Sequence, residues 1–151
     1  MNPVILKAGY AGLDVTPSYP TPLAGYGDSA QRYHTHVLDP LYAVCVALSD
    51  GESALLLFYL DQAALSLETC SLWRKELSER HGIPVENILL NVTHTHSAPD
   101  LRGDFPESVR CREELRQAVL SLAEKALEDL TETEMFIASG QVVDGTSSAG
   151  N

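Results

Sequence analysis

The sequence predicts an α/β fold, a mixed β-sheet flanked by helices in a layered arrangement. Three observations carry that expectation. Short apolar and aromatic runs alternate with longer stretches of helical periodicity. Asp50-Gly51 separates two such runs, which is a hairpin signal. The other connections read as helical crossovers, so parallel and antiparallel pairing should coexist in one sheet.

The first strand is expected from Ala8 to Val15, ending at Thr16-Pro17. Ser18-Tyr19-Pro20-Thr21-Pro22 resists helix and central strand alike, because proline lacks a donor and restricts the residue before it. Gly25-Tyr26-Gly27-Asp28 continues this irregular loop. Strands follow from Leu41 to Leu48 and from Ala54 to Leu60, the second ending in Leu60-Asp61-Gln62 with an acid at its tip. Leu67 to His81 reads as a helix, since Cys70, Trp73, Leu77 and His81 recur at three- or four-residue spacing and Gly82-Ile83-Pro84 stops it. A strand from Val85 to Thr93 comes next. Pro106 to Leu130 is the longest helix, with Leu115, Val119, Leu122, Ala126 and Leu130 on one stripe. A last strand spans Glu134 to Val142, and the polar tail beyond it reads either as a loose terminus or as a chain cut inside a longer polypeptide.

At 151 residues the chain has the size of one domain, able to bury about 68–70% of the surface its unfolded form exposes. Twenty-one acidic residues against ten basic ones give a net charge of −11, a field that repels phosphate backbones and argues against nucleic acid as partner. Cys45, Cys70 and Cys111 are odd in number and form no CxxC pair, so they are expected as buried hydrophobes rather than a disulfide framework or thiolate site. No stretch approaches a membrane span, and the N-terminus lacks the basic start and apolar core of a secretory signal, which predicts a cytoplasmic chain.

The chemistry concentrates in Thr93-His94-Thr95-His96-Ser97, directly after the apolar run Ile88-Leu89-Leu90. On an extended strand residues two apart share a face, so both imidazoles can reach one point. Imidazole suits zinc, and such a pair supplies two of the three protein ligands of a catalytic site. The plainer reading makes them polar residues at a strand end. Asp61 is the candidate to orient a ring by accepting from its non-ligating nitrogen, or else it starts a turn or caps the following helix. Tyr33-His34-Thr35-His36 is a second such pair, read as a solvated loop, with completion of a four-ligand cluster as the alternative. Gly25 and Tyr26 are candidates to line a substrate cleft, against a plain turn. His81 suits a helix C-terminus, Ser97 lacks a Gly-x-Ser-x-Gly elbow, and Arg102 is either a carboxylate clamp or a surface arginine.

Ala11-Gly12-Leu13-Asp14-Val15-Thr16-Pro17, Ala24-Gly25-Tyr26-Gly27, Asp39-Pro40-Leu41-Tyr42-Ala43, Leu60-Asp61 and Glu86-Asn87-Ile88-Leu89-Leu90 before Thr93-His94-Thr95-His96-Ser97-Ala98-Pro99-Asp100 together resemble, in order, the N-terminal catalytic region of neutral/alkaline non-lysosomal ceramidases. The resemblance covers nearly the whole chain. It implies a zinc-dependent amidase that splits ceramide into fatty acid and sphingosine, with His94 as a zinc ligand and His96 beside the metal, contacting the reacting group. It also implies that another His, a Glu and a Tyr complete the site from downstream sequence, and that Ala149-Gly150-Asn151 begins a segment the family continues. The expected function is therefore a zinc amidohydrolase cleaving an N-acyl amide by metal-activated water, with His94 and His96 on the metal and His96 and Asp61 as catalytic groups. The expected partners are a small-molecule or lipid amide substrate, and either a second copy of the chain or a missing C-terminal half. The alternative is a non-catalytic acidic module of the same fold that binds metal weakly and serves a protein partner.

Overall fold

The structure, a computed structural model, describes residues 5–29 and 32–140. Its element order is β1 (Lys7–Asp14), β2 (Tyr42–Ser49), β3 (Ala54–Leu60), α1 (Leu67–His81), a single 3-10 turn (Val85–Asn87), β4 (Ile88–Val92), α2 (Pro106–Glu128) and β5 (Thr131–Glu132). The strands form one mixed sheet in the order β4-β3-β2-β1-β5. Only β3 and β4 run parallel, joined by the α1 crossover; the other neighbours are antiparallel.

The Asp-Gly hairpin forms as expected, with Ser49 opposite Ala54 and Asp50 Oδ1 accepting the Glu52 and Ser53 amides. Helix α1 has the expected bounds because both ends are chemically marked: the Ser66 hydroxyl accepts the Thr69 amide, and Gly82 closes the helix in the left-handed region at φ 66°.

Four expectations need correction. The strand expected from Val85 starts three residues late, because Asn87 N–H donates to Pro84 C=O and tightens the entry into a 3-10 turn. It also ends at Val92, before the histidines. The strand expected from Glu134 to Val142 is absent over 134–140, and residues 141 and 142 lie outside the described residues; a two-residue β5 at Thr131–Glu132 pairs with β1 instead. The first connection, between β1 and β2, is a long irregular excursion rather than a helical crossover. Cys70 is only half-buried, whereas Cys45 and Cys111 are buried as expected.

One face of the sheet carries the core. Phe58, Leu56, Leu60 and Ile88 point into it, against Trp73 and Leu77 of α1 and Leu115, Val119 and Leu122 of α2. Small residues set how closely α2 lies: Ala11, Ala43, Cys45 and Ala47 line the sheet side, and a Cβ on Gly9 would fall 2.0 Å from the Ala126 carbonyl oxygen. Arg116 ties the helices together, contacting Glu76 of α1 at 2.6 Å and Glu113 of its own helix at 2.7 Å. Those contacts, with one from Gln117, hold the Glu113 carboxyl down at about 2. Among the described residues no element covers the opposite face, where Tyr10, Tyr59 and Leu89 are exposed.

Candidate functional site

The parallel pair β3–β4 brings two C-terminal strand ends side by side, the usual position for chemistry in a sheet of this kind. The chain leaving β4 is then laced to its surroundings by backbone bonds. Thr93 N–H donates to Leu60 C=O, Thr95 N–H to Gln62 C=O, and Ser97 N–H to Ala24 C=O, while Ala24 N–H donates back to Ala98 C=O. Residues 93–98 are thus clamped between the tip of β3 and the 22–25 segment of the long excursion. Leu23 and Pro99 form an isolated bridge that continues the clamp.

His94 and His96 come together, but not by sharing a strand face. His94 sits at φ 59° and Ser97 at φ 67°, both in the left-handed region, so the segment is kinked rather than extended. The kink turns the two rings toward each other. Their centroids are 4.9 Å apart and the two Nε2 atoms 3.3 Å apart, with both residues exposed to solvent.

Hydrogen-bond partners fix the ring protons. His94 Nδ1 lies 2.8 Å from the Ala63 carbonyl, which can only accept, so Nδ1 carries the proton and Nε2 presents a lone pair. His96 Nε2–H then donates to that lone pair. Ala63, three residues past the end of β3, was not marked by sequence reasoning; the only available signal was its position after Leu60-Asp61-Gln62.

Asp61 does not orient either histidine. Its Oδ2 accepts the Tyr42 amide at 2.9 Å and its Oδ1 the Thr93 hydroxyl at 3.0 Å, and Thr93 in turn meets the Thr95 hydroxyl at 2.7 Å. The carboxylate therefore pins the start of β2 to the histidine segment. Gly25 and Tyr26 both touch His96. A Cβ on Gly25, at φ 105°, would stand 2.6 Å from the His96 ring, and Tyr26 packs edge-on against that ring at 4.9 Å with the Arg32 guanidinium on Tyr26 at 5.1 Å.

The remaining candidates separate. Thr21 N–H and the Thr21 hydroxyl lie 3.2 and 3.1 Å from His34 Nδ1, and His36 Nδ1 meets the Thr35 hydroxyl at 3.0 Å. Both residues line the same groove as His96 and Asp61, a hollow of about 510 Å³ between the 33–41 segment and residues 95–99. They do not join the first pair: among the described residues no three His, Cys, Asp or Glu side chains are grouped to hold a metal ion. Arg102 folds back onto Asp100, Nε to Oδ1 at 3.1 Å. Burial raises the Asp100 carboxyl, but the Arg102 and Ser29 contacts outweigh it and hold the group below the usual carboxylate range. Burial likewise pushes His81 down, despite the opposing pull of Glu124.

No protein-family model matches the chain, and no curated protein matches its sequence. Solved structures do match. A neutral ceramidase from Pseudomonas aeruginosa superposes with a TM-score of 0.71 at 18% identity, over 87% of this chain and 23% of its own. A structure described as a ceramidase complexed with C2 gives 0.71 and 18% over 86% of this chain and 22% of its own. The chain therefore has a ceramidase-like fold and spans less than a quarter of the length of these neighbours.

Proposed function

We propose that the chain carries part of a ceramidase-like amide-hydrolase site, in which His94 and His96 hold a zinc ion next to an N-acyl amide. The observation that supports this most is the 3.3 Å separation of the two Nε2 atoms, with the His94 lone pair freed by its bond to Ala63. Two donors on one tetrahedral zinc, each at about 2.0–2.1 Å, stand roughly 3.3–3.4 Å apart. The pair fits two corners of such a site, and the remaining donors must come from outside the described residues.

Zinc held there lowers the pKa of bound water to about 7 and polarises an amide carbonyl. The protein's own groups do the rest. Ala63 keeps His94 in the ligating tautomer, and Gly25 leaves the space that the His96 ring fills. Water oxygen bonds to the acyl carbon, the C–N bond breaks and the water proton passes to the departing nitrogen, with His96 held beside the reacting centre. Asp61 ties the start of β2 to the histidine segment through Thr93 and does not act on the substrate. Ceramide itself belongs to this proposal only as one N-acyl amide among others.

Equilibrium dialysis against micromolar zinc tests the reading. One zinc per chain is expected, falling by more than about a hundredfold in affinity in His94→Ala, with fatty-acid release from an N-octanoyl amide lost in parallel. Equal zinc uptake by wild type and variant would contradict it. The absence of a third donor among the described residues favours a second reading, an acidic module that binds metal weakly, for which zinc would be readily chelated and no hydrolysis would be seen.

A further inference from the structure

The sheet has a second apolar face, which the histidine pair does not use. Strands β2 and β3 are apolar at almost every position, the pattern of strands covered on both sides, because a strand with one wet face alternates apolar and polar residues. Their pairing registers set the uncovered side chains in rows. Tyr10, Val46, Leu57 and Leu89 form the central row across β1 to β4. Leu48 and Leu55 stand in the row to one side of it, and Gly12, Val44, Tyr59 and Asn91 in the row to the other. None of these residues is charged, on a chain of net charge −11. The surface is also flat. A Cβ on Gly12 would stand 2.8 Å from the Tyr10 hydroxyl oxygen, so the tyrosine lies down along the sheet over Gly12 instead of projecting from it.

We propose that this face packs against the same face of a second copy of the chain, about a two-fold axis running along the strands between β2 and β3. The patch is centred between those two strands, and its side chains match when that axis is applied. Tyr10 falls over the partner's Leu89, Val46 over the partner's Leu57 and Val44 over the partner's Tyr59, so that a smaller side chain meets a larger one. An axis across the strands would instead set Tyr10 against its own copy and Ala8 over Gly12, leaving a gap. Four strands about 4.8 Å apart and three rows about 6.7 Å apart give a footprint of roughly 400 Å² per copy, and with side-chain relief the pair buries on the order of 1,000 Å², enough for a weak specific interface. Freedom from charge lets two acidic chains meet here with least repulsion. The chain's own residues 141–151 hold only Val142 and Val143 as large apolar side chains, too few to cover the face. This pairing is independent of the metal reading.

Sedimentation velocity of the whole chain, in excess chelator, tests the pairing separately from zinc chemistry. A dimer should form with a dissociation constant on the order of micromolar, and should tighten as salt rises from roughly 0.05 to 0.5 M, because screening removes the repulsion between two acidic chains. Tyr10→Lys and Leu89→Asp, both at exposed positions, should each weaken the dimer at least about tenfold, while Leu72→Lys and Leu72→Asp, the same changes at an exposed position on α1, should not. An equimolar mixture of Tyr10→Lys and Leu89→Asp should regain dimer, since the axis sets the introduced lysine over the introduced aspartate on one side and keeps the native contact on the other. A chain that stays monomeric at every concentration would overturn the inference and leave the face to a different polypeptide. Association that loosens with salt, unchanged dimerisation of both variants, or no recovery in the mixture would overturn it as well. Circular dichroism of each variant confirms that the fold is present, and the wild-type salt series decides the case where a variant fails to fold.

Discussion

Two segments of this chain spell almost the same word, Tyr33-His34-Thr35-His36 and Thr93-His94-Thr95-His96, and the fold treats them in opposite ways. In the second, a carbonyl accepts a hydrogen bond from His94 Nδ1–H and leaves Nε2 free toward its neighbour. In the first, the Thr21 amide donates to Nδ1 of His34, which places the proton on Nε2 and removes that nitrogen as a ligand. His36 turns to the adjacent threonine instead of to His34. Spacing in sequence thus does not decide which imidazole nitrogen keeps a free lone pair; the partner of the other nitrogen does.

Substitutions can break or sharpen this contrast. The largest effect is expected from Gly25→Ala, which places a methyl 2.6 Å from the His96 ring at a φ of 105° that L-residues avoid. Zinc affinity should fall roughly ten- to a hundredfold, and stability by about 1–3 kcal/mol, read by dialysis and by denaturant unfolding. Unchanged zinc affinity would mean that His96 is not held by the 22–25 segment. A smaller and purely structural effect is expected from Asp61→Ala. It removes the side-chain acceptor of Tyr42 N–H at the exposed start of β2, costing about 0.5–1.5 kcal/mol, while zinc affinity changes less than about threefold. A large loss of affinity there would give the carboxylate a direct role. The smallest is His34→Ala, which costs about 1 kcal/mol through the unpartnered Thr21 amide and leaves zinc binding untouched. Any loss of metal in that variant would join the two motifs into one site.

Much of the fold was legible where a local signal coincided with a tertiary one. Helix α1 was readable to the residue because Gly82 marks its end and Trp73 and Leu77 its buried stripe. The Asp-Gly hairpin was readable for the same reason. The strand over Glu134–Val142 was not, because an apolar run becomes a strand only where a ladder partner is present, and β1 offers its edge to Thr131 and Glu132. At the site, the histidine pair was visible but its cause was misread. Period-two alternation suggested a common strand face, whereas a left-handed His94 and two flanking backbone clamps bring the rings together. Histidine is among the residues enriched in that region, yet nothing in the local sequence specifies which histidine will adopt it. Gly25 was marked as a cleft residue, but its observed part is to leave room for the His96 ring; Ala63 acts through a carbonyl, a feature that carries no chemical label in a sequence.

Long-range proton–nitrogen NMR of the imidazole nitrogens during a zinc titration tests the central claim most directly. The Nε2 signals of His94 and His96 should move together at one equivalent of zinc, with the His94 Nδ1 proton retained and the signals of His34 and His36 unmoved. Zinc-induced shifts at His34 or His36, or none at His94, would contradict the assignment of the metal pair.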